Sequence, residues 1–367
     1  MTSHAESDPF PQASTGRRPI ELLGGPPEET LIRIGAFMEA RAAPPYRTEQ
    51  VRAWVFDRRI RTFEEATNLP KELRAALDRE FSLTPLEPAH VARSRDGTVK
   101  HLWRLADDEQ IESVLIPTSD RLTLCLSSQA GCALGCTFCA TGHFGFRRQL
   151  SGAEISAQFR DASRFAESEW QRPVDRIVYM GMGEPLANLE AVQVSLDVLH
   201  RGFGVGARRI TISTVGLVPG ILTLASRPEQ FGLAVSLHAP DHELRASLMP
   251  IERRHPLPEL LEAIREYASL RGRRITFEYT LIQDVNDRPG QARRLAGLVR
   301  GLPAFVNLIP FNPIPFVDWR PSSAERMAAF ARTLQERGVQ AALRTPRGRD
   351  IAAACGQLRL EAREPAA

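Results

Sequence analysis

Cys132, Cys136 and Cys139 fall within the stretch GCALGCTFCATG of a chain that contains only five cysteines. Three thiolates spaced C-x3-C-x2-C on one loop can wrap a single inorganic centre. A [4Fe–4S] cube has four irons, so three cysteines leave one iron open to a small molecule. S-adenosylmethionine offers an amino group and a carboxylate for that position. One electron passed to it cleaves a carbon–sulfur bond and yields a 5′-deoxyadenosyl radical. The alternative is a four-cysteine zinc site with Cys125 as the fourth ligand. Such sites usually use two paired knuckles a dozen or more residues apart, and the sequence holds no second knuckle. Taken singly, Cys125 in the run LTLCLSS and Cys355 in IAAACGQL read as buried core residues.

These side chains need a scaffold. After residue 120, strand-like and helix-like segments alternate, with β runs RLTLCLSS, RIVYMGMG, RRITISTVG, FGLAVSLHAP, RITFEYTLIQ and AFVNLIPFNP. Six β runs separated by helical runs predict parallel βαβ units in an α/β fold. Ser151 and Glu154 form a capping box for the first of these helices. In α/β barrels the reactive residues gather at the C-terminal strand ends. Here those ends read GEP, STVG, SLHAP and FNP, polar turn-forming tips on apolar strands, and a site is expected there.

With 367 residues, 43% apolar and 25% charged, the composition suits one large folded domain plus a smaller one. The formal charge is only +3, yet all but two of the 47 basic residues are arginine, the exceptions being Lys71 and Lys100. Nucleic-acid contact and a genome-wide codon bias both produce that excess, so charge alone assigns no partner. Residues 1–20, rich in Ser, Pro and charge, predict a disordered arm. Amphipathic runs EETLIRIGAFMEAR, RTEQVRAWVFDRRI and PKELRAALDREF predict a helical domain over 21–95, followed by a hairpin linker over 96–120 and a catalytic domain over 121–367. No basic-then-apolar leader and no apolar run of about 20 residues is present, which predicts a cytoplasmic protein without a membrane partner. Thiols stay reduced in that compartment, which favours metal or redox chemistry over a structural disulfide.

Taken together, these residues carry a resemblance. GCALGCTFCATG resembles the radical S-adenosylmethionine signature, with an aromatic residue before the third cysteine, and MGMGEPLAN resembles that superfamily's GGEP-type motif. More narrowly, GMGEPLAN, SLHAP, LIPFNP and RGRDIAAACGQL resemble the adenine-C2 methyltransferases of 23S ribosomal RNA and transfer RNA. The resemblance runs over roughly residues 45–360. It implies a partial (β/α)6 barrel of the radical S-adenosylmethionine type with a small N-terminal helical, RNA-binding domain. It also implies a [4Fe–4S] cluster on Cys132, Cys136 and Cys139, and two molecules of S-adenosylmethionine per turnover. Gly183, Glu184, Ser213, Ser236, Leu237, His238 and Asn312 match the family's S-adenosylmethionine contacts. Cys355 matches the cysteine that carries the methyl group, Cys125 the cysteine that resolves the covalent intermediate, and Glu112 the proton acceptor.

The chemistry explains why five cysteines would be needed. C2 of adenine is electron-poor and its C–H bond is neither acidic nor nucleophilic, so ordinary displacement cannot methylate it, whereas a radical can. Hydrogen abstraction from a methyl group on Cys355 gives a carbon radical that adds to the ring and leaves a protein–RNA thioether. Attack by Cys125 on the Cys355 sulfur then frees the methylated base and leaves a disulfide. The implied partners are 23S ribosomal RNA at the peptidyl-transferase centre, transfer RNA beside the anticodon, and an electron donor such as flavodoxin or ferredoxin, with the chain acting as a monomer. Two rivals stand beside this reading. The C8-specific relative that confers ribosomal antibiotic resistance uses the same five cysteines, although GEPL, SLHAP, LIPFNP and RGRDI resemble the C2 group. The other rival is a zinc-stabilised RNA-binding protein without catalysis. GFRR at 145–148 is either a phosphate contact or solvated loop charge. His143 and Gln149 depart from the Gln and Asn of many relatives, with a bearing on RNA contact alone.

Overall fold

A computed structural model describes residues 19–359 of the chain. All but the last two residues of the arm predicted for 1–20 lie outside the described residues. Ten strands form one sheet in which spatial order follows chain order. They are β1 (Glu87–Arg93), β2 (Val99–Arg104), β3 (Gln110–Pro117), β4 (Leu122–Cys125), β5 (Arg176–Tyr179), β6 (Ile210–Thr214), β7 (Gly232–Ser236), β8 (Ile275–Leu281), β9 (Ala304–Pro310) and β10 (Gln340–Leu343). The first four pair antiparallel as a meander. From β4 onward every pairing is parallel.

Parallel strands covered on both faces read as continuous apolar runs, and Ile210, Ile212, Leu233, Val235, Phe277 and Leu281 are all buried. Each parallel step needs a crossover, supplied by helices such as Gly152–Trp170, Val218–Ser226, Leu257–Arg271 and Ala324–Gln335. Sequential strands with helical crossovers curl the sheet into a barrel, which stays open because β1 and β10 remain edges. The first crossover helix carries the expected capping box: Ser151 Oγ accepts from the Glu154 N–H at 3.1 Å and Glu154 Oε2 accepts from the Ser151 N–H at 2.9 Å. The six expected β runs are β4 to β9, and β10 is a further parallel strand.

The N-terminal helices lie at Pro27–Glu39, Tyr46–Arg52 and Lys71–Glu80. The second continues into the helical turn Ala53–Asp57, which packs on the barrel through Phe56, whose ring meets Phe203 edge-on at 6.0 Å. The buried Arg160 guanidinium, paired with Asp161 at 2.9 Å, donates to the Thr84 carbonyl at 3.1 Å and fixes the segment that leaves the last of these helices. No helix among the described residues is long and apolar enough to cross a membrane.

Two segments differ from their sequence reading. Residues 96–120 do form a hairpin, but it is built into the sheet instead of linking two bodies. The strand 87–93, within the region read as helical, extends that hairpin to the sheet edge. The cause is burial: pairing β3 with β2 and β4 covers Ile111, Val114 and Leu115. The register also sets chemistry in place. Lys100 pairs with Val114 and Val114 with Cys125, so these side chains share one face. Glu112, two residues from Val114, lies on that face too.

Candidate active site

The cysteine loop is launched by the short strand Gln129–Gly131, which pairs with Phe146–Gln149. Gly131 adopts φ +84°, and a Cβ there would sit 2.0 Å from the Gly145 carbonyl oxygen. Only glycine fits this closure, which lets the Cys132 N–H donate to Gly145 O at 3.0 Å. Further along, the Thr137 N–H and Oγ1 both donate to the Leu248 carbonyl, at 3.0 and 3.2 Å. The Cys139 N–H reaches the Cys136 carbonyl at 3.1 Å. The cysteine loop is thus held by bonds to two other parts of the chain, at Gly145 and Leu248, and by one turn within itself.

Across from this loop the strand tips close a cavity of about 160 Å³. Cys132, Cys136, Cys139, Gly183, Glu184, Ser213, Ser236, His238, Asn312 and Cys355 all line it. Gly183, at φ +95°, lies so close to Gln129 that a Cβ would approach its side chain to 2.5 Å. Gln129 Oε1 in turn accepts from the Glu184 N–H at 2.8 Å. The Glu184 carboxylate accepts from the Leu186 and Val215 N–H groups at 3.0 and 2.9 Å, and burial pushes its pKa up to about 7. His238 has φ 57° and is buried against Phe138, with ring centroids 4.5 Å apart. Its Nδ1 accepts from the Thr280 N–H at 2.9 Å, and burial lowers the imidazole to about 3, so the ring is neutral.

Three expected residues stand outside the lining. Leu237 is fully buried and takes part through its backbone, donating its N–H to the Glu278 carbonyl at 3.0 Å. Cys125 ends β4, buried, with its thiol pushed up by burial and then by the charge of a Cys355 thiolate. Glu112 is buried in an ion pair with Lys100, Oε1 to Nζ at 2.9 Å, and its Oε2 accepts from the Arg359 N–H at 2.6 Å.

Cys355 itself sits on a C-terminal strap that crosses the barrel mouth and is sewn down on three sides. Lys100 Nζ donates to the Ala352 carbonyl at 3.3 Å on the hairpin side. The Ala140 N–H donates to the Gly356 carbonyl at 2.7 Å, and Thr141 Oγ1 to the Leu358 carbonyl at 3.2 Å, on the cysteine-loop side. Asn312 Nδ2 donates to the Cys355 carbonyl at 3.1 Å on the β9 side. The residue is exposed and lines the cavity, whose walls desolvate its thiol and push it up.

The lining suits a cationic cluster and a polar ligand. Burial pushes Cys132 up to about 11 and raises Cys136 and Cys139, so without a metal the thiols keep their protons. A coordinated metal removes such protons outright. Arg245, which partly offsets the rise at Cys136, is engaged by Glu252 Oε2 at 2.5 Å and the Val215 carbonyl at 2.6 Å. Among the described residues no three His, Cys, Asp or Glu side chains are grouped to hold a single ion. The thiolates of a cube each hold a different iron and need no such grouping. Cys125, the fourth ligand in the zinc alternative, does not share the cavity. Asn312 lines the cavity, and its Oδ1 is buried without a partner.

Glu278 and Thr280 also line the cavity and were not foreseen. Glu278 accepts from Asn307 Nδ2 at 2.9 Å, and burial raises its carboxyl. Their spacing of two within the strand FEYTL is the signal that they share a face.

This barrel, with three loop cysteines facing its strand tips, is the architecture of radical S-adenosylmethionine enzymes. Residues 126–296 match the Radical SAM superfamily, and residues 29–83 match the ribosomal RNA large subunit methyltransferase N-terminal domain. The crystal structure of a radical SAM methyltransferase from Sphaerobacter thermophilus superposes with a TM-score of 0.88 at 46% identity, covering 93% of this chain and 99% of that one. The probable dual-specificity RNA methyltransferase RlmN of Gemmatimonas aurantiaca is 49% identical over 343 residues, 93% of each chain. The dual-specificity RNA methyltransferase RlmN of an Anaeromyxobacter species is 46% identical over 90% of this chain and 89% of its own. The chain belongs to the RlmN family of radical S-adenosylmethionine RNA methyltransferases.

Proposed function

We propose that this protein methylates C2 of an adenine in 23S ribosomal RNA and in transfer RNA, with Cys355 carrying the methyl group. The observation that supports this most strongly is the convergence of Cys355 on one cavity with Cys132, Cys136 and Cys139, which precede it by more than two hundred residues. Cys132, Cys136 and Cys139 would hold a [4Fe–4S] cluster, which with S-adenosylmethionine would supply the radical chemistry needed to activate an unactivated methyl group.

The chain's own residues do the rest. The backbone bonds from Asn312 and Ala140 hold the Cys355 segment so that its Sγ can accept a methyl group as a nucleophile and present it to a base. Glu112, on the sheet face over which the strap closes, takes the proton that the ring must lose. Cys125 Sγ, as thiolate, then attacks Cys355 Sγ: a sulfur–sulfur bond forms, the sulfur–carbon bond breaks with its electron pair going to the methylene carbon, and that carbon takes up a proton so that the base leaves with a methyl group. The helices at 29–83 grip RNA. Recycling the disulfide requires a reducing, cytoplasmic setting, and the radical step a one-electron donor of the flavodoxin or ferredoxin type. A monomer suffices, because one chain supplies the whole cavity lining.

Mass spectrometry of nucleosides from RNA of cells with and without the gene tests this. The expected result is 2-methyladenosine in both RNAs, present only with the gene. 8-Methyladenosine as the main product would assign the chain to the C8 chemistry, and no change in methyladenosine would refute the proposal.

A further inference from the structure

Next in the chain to segments that line the cavity, three rings form a cluster for which the mechanism has no use. His143 lies nearly flat on Phe316, with centroids 4.6 Å and planes 14° apart. Phe144 meets the same Phe316 ring edge-on at 5.4 Å. Phe144 and Phe316 are 39% and 42% exposed, a large apolar surface to leave in water. The rings come from segments that line the cavity: His143 follows Gly142 directly, and Phe316 follows Asn312 by four residues. The strap contributes Arg359, three residues past Gly356, with its guanidinium 5.9 Å from the Phe144 ring centroid. His143 is fixed by a second contact, Nε2–H donating to the Thr137 carbonyl at 3.0 Å. The surface is therefore ordered before a partner arrives, which lowers the cost of binding.

We propose that His143, Phe144 and Phe316 form a platform that stacks an unpaired RNA base next to the adenine entering the cavity, an inference that rests on the RNA methyltransferase reading above. An adenine can bring C2 to Cys355 only by leaving its stack, which strips its neighbours of a stacking partner. The ring cluster replaces that partner, and aromatic faces accept any base. Charge favours RNA over an apolar protein segment as the occupant. Arg359 reaches the Phe144 ring, and Arg147, on the strand Phe146–Gln149 just after Phe144, is exposed and makes no ion pair among the described residues. Arg148, by contrast, is engaged by Asp107 at 2.5 Å and Glu154 at 2.7 Å. Of the two arginines in GFRR, Arg147 is thus the one left for a phosphate.

The test uses the full-length, cluster-loaded protein and a labelled RNA hairpin whose loop carries the target adenine. Phe316→Ala and Phe144→Ala should each weaken binding about tenfold to a hundredfold, with the slope of log affinity against log salt unchanged. Phe316→Leu, which keeps bulk and loses the ring, should bind as poorly as Phe316→Ala, while Phe316→Tyr should bind like wild type. Arg147→Gln should instead reduce the salt slope by about one. Methyl loading of Cys355, which needs no RNA, should stay at the wild-type level in every variant and reports an intact fold. Wild-type affinity in both alanine variants would overturn the platform and leave the methyltransferase reading standing. A wild-type protein that neither binds nor methylates the hairpin would end that reading, and the platform with it.

Discussion

Asn312 Nδ2 donates to the Cys355 carbonyl at 3.1 Å, so the tip of β9 positions a cysteine 43 residues further along the chain. The same residue lines the cavity, and its Oδ1 is buried and unpartnered. One asparagine thus couples the ligand space to the methyl carrier. Asn312→Ala should lower methyl loading of Cys355 about tenfold, the order expected when one hydrogen bond and a ligand acceptor are lost. Iron content should not change. Asn312→Asp should load still less, because a carboxylate would face the Cys355 carbonyl. The mass of the Cys355 peptide after incubation with S-adenosylmethionine gives the readout.

Alanine at Cys132, Cys136 or Cys139 should abolish the cluster, whereas Cys125→Ala and Cys355→Ala should keep it. Anaerobically reconstituted wild type should hold about four irons per chain. Iron analysis decides between the roles: loss of iron in Cys125→Ala would make that residue a ligand and restore the four-cysteine alternative.

Lys100 joins Glu112 to the Cys355 strap, with Nζ 2.9 Å from Glu112 Oε1 and 3.3 Å from the Ala352 carbonyl, and both charged groups are buried. Lys100→Met leaves a buried carboxylate uncompensated and should cost about 3–5 kcal/mol of stability. Lys100→Arg keeps the charge in a planar fork that cannot reproduce both bonds, and should fall between the two. Urea denaturation midpoints provide the measurement, and a Lys100→Met protein as stable as wild type would contradict the assignment.

What the sequence made legible, and what it hid, follows from the range of each signal. The polar tips GEP, STVG, SLHAP and FNP stood out because turn-forming residues interrupt apolar runs, and their C-terminal strand ends do face the cavity. Glu278 and Thr280 were hidden because alternating polar residues in a strand read as a solvent face, whereas inside a barrel that face is the site. The grouping of Lys100, Glu112 and Cys125 depends on the register of three strands, which no local pattern encodes. Strand β10 was missed because QAAL is short, weakly apolar and largely exposed at the sheet edge.

His101 is buried flat against Trp103 at 4.9 Å, with both ring nitrogens unpartnered, and burial lowers it to about 4. Its folded value lies below the ordinary 6.5, so the unfolded chain binds the proton more readily. Stability from this residue is complete above pH 6.5 and is lost as pH falls toward 4, by up to about 1.4 kcal/mol per pH unit. Glu184 runs the other way: raised to about 7, it costs stability as pH rises from 4.5 to 7. The useful quantity is therefore a difference. The difference in thermal stability between His101→Phe and wild type should be constant near pH 7 and above, and should shift increasingly in the variant's favour below 6.5. Parallel curves would show that His101 does not titrate on unfolding.

The division of labour between Cys355 and Cys125 is tested most directly by the intact mass of purified Cys125→Ala after ribonuclease treatment. That variant should load the methyl group, complete addition to the base and then stall, because no thiol remains to attack the Cys355 sulfur. It should carry RNA that resists denaturant, and ribonuclease should leave a methylene-linked nucleotide on the Cys355 peptide. Cys355→Ala, with its cluster intact, should carry neither methyl group nor RNA. Near wild-type turnover by Cys125→Ala, or a Cys125→Ala protein free of RNA under conditions where wild type is active, would contradict the two-cysteine account.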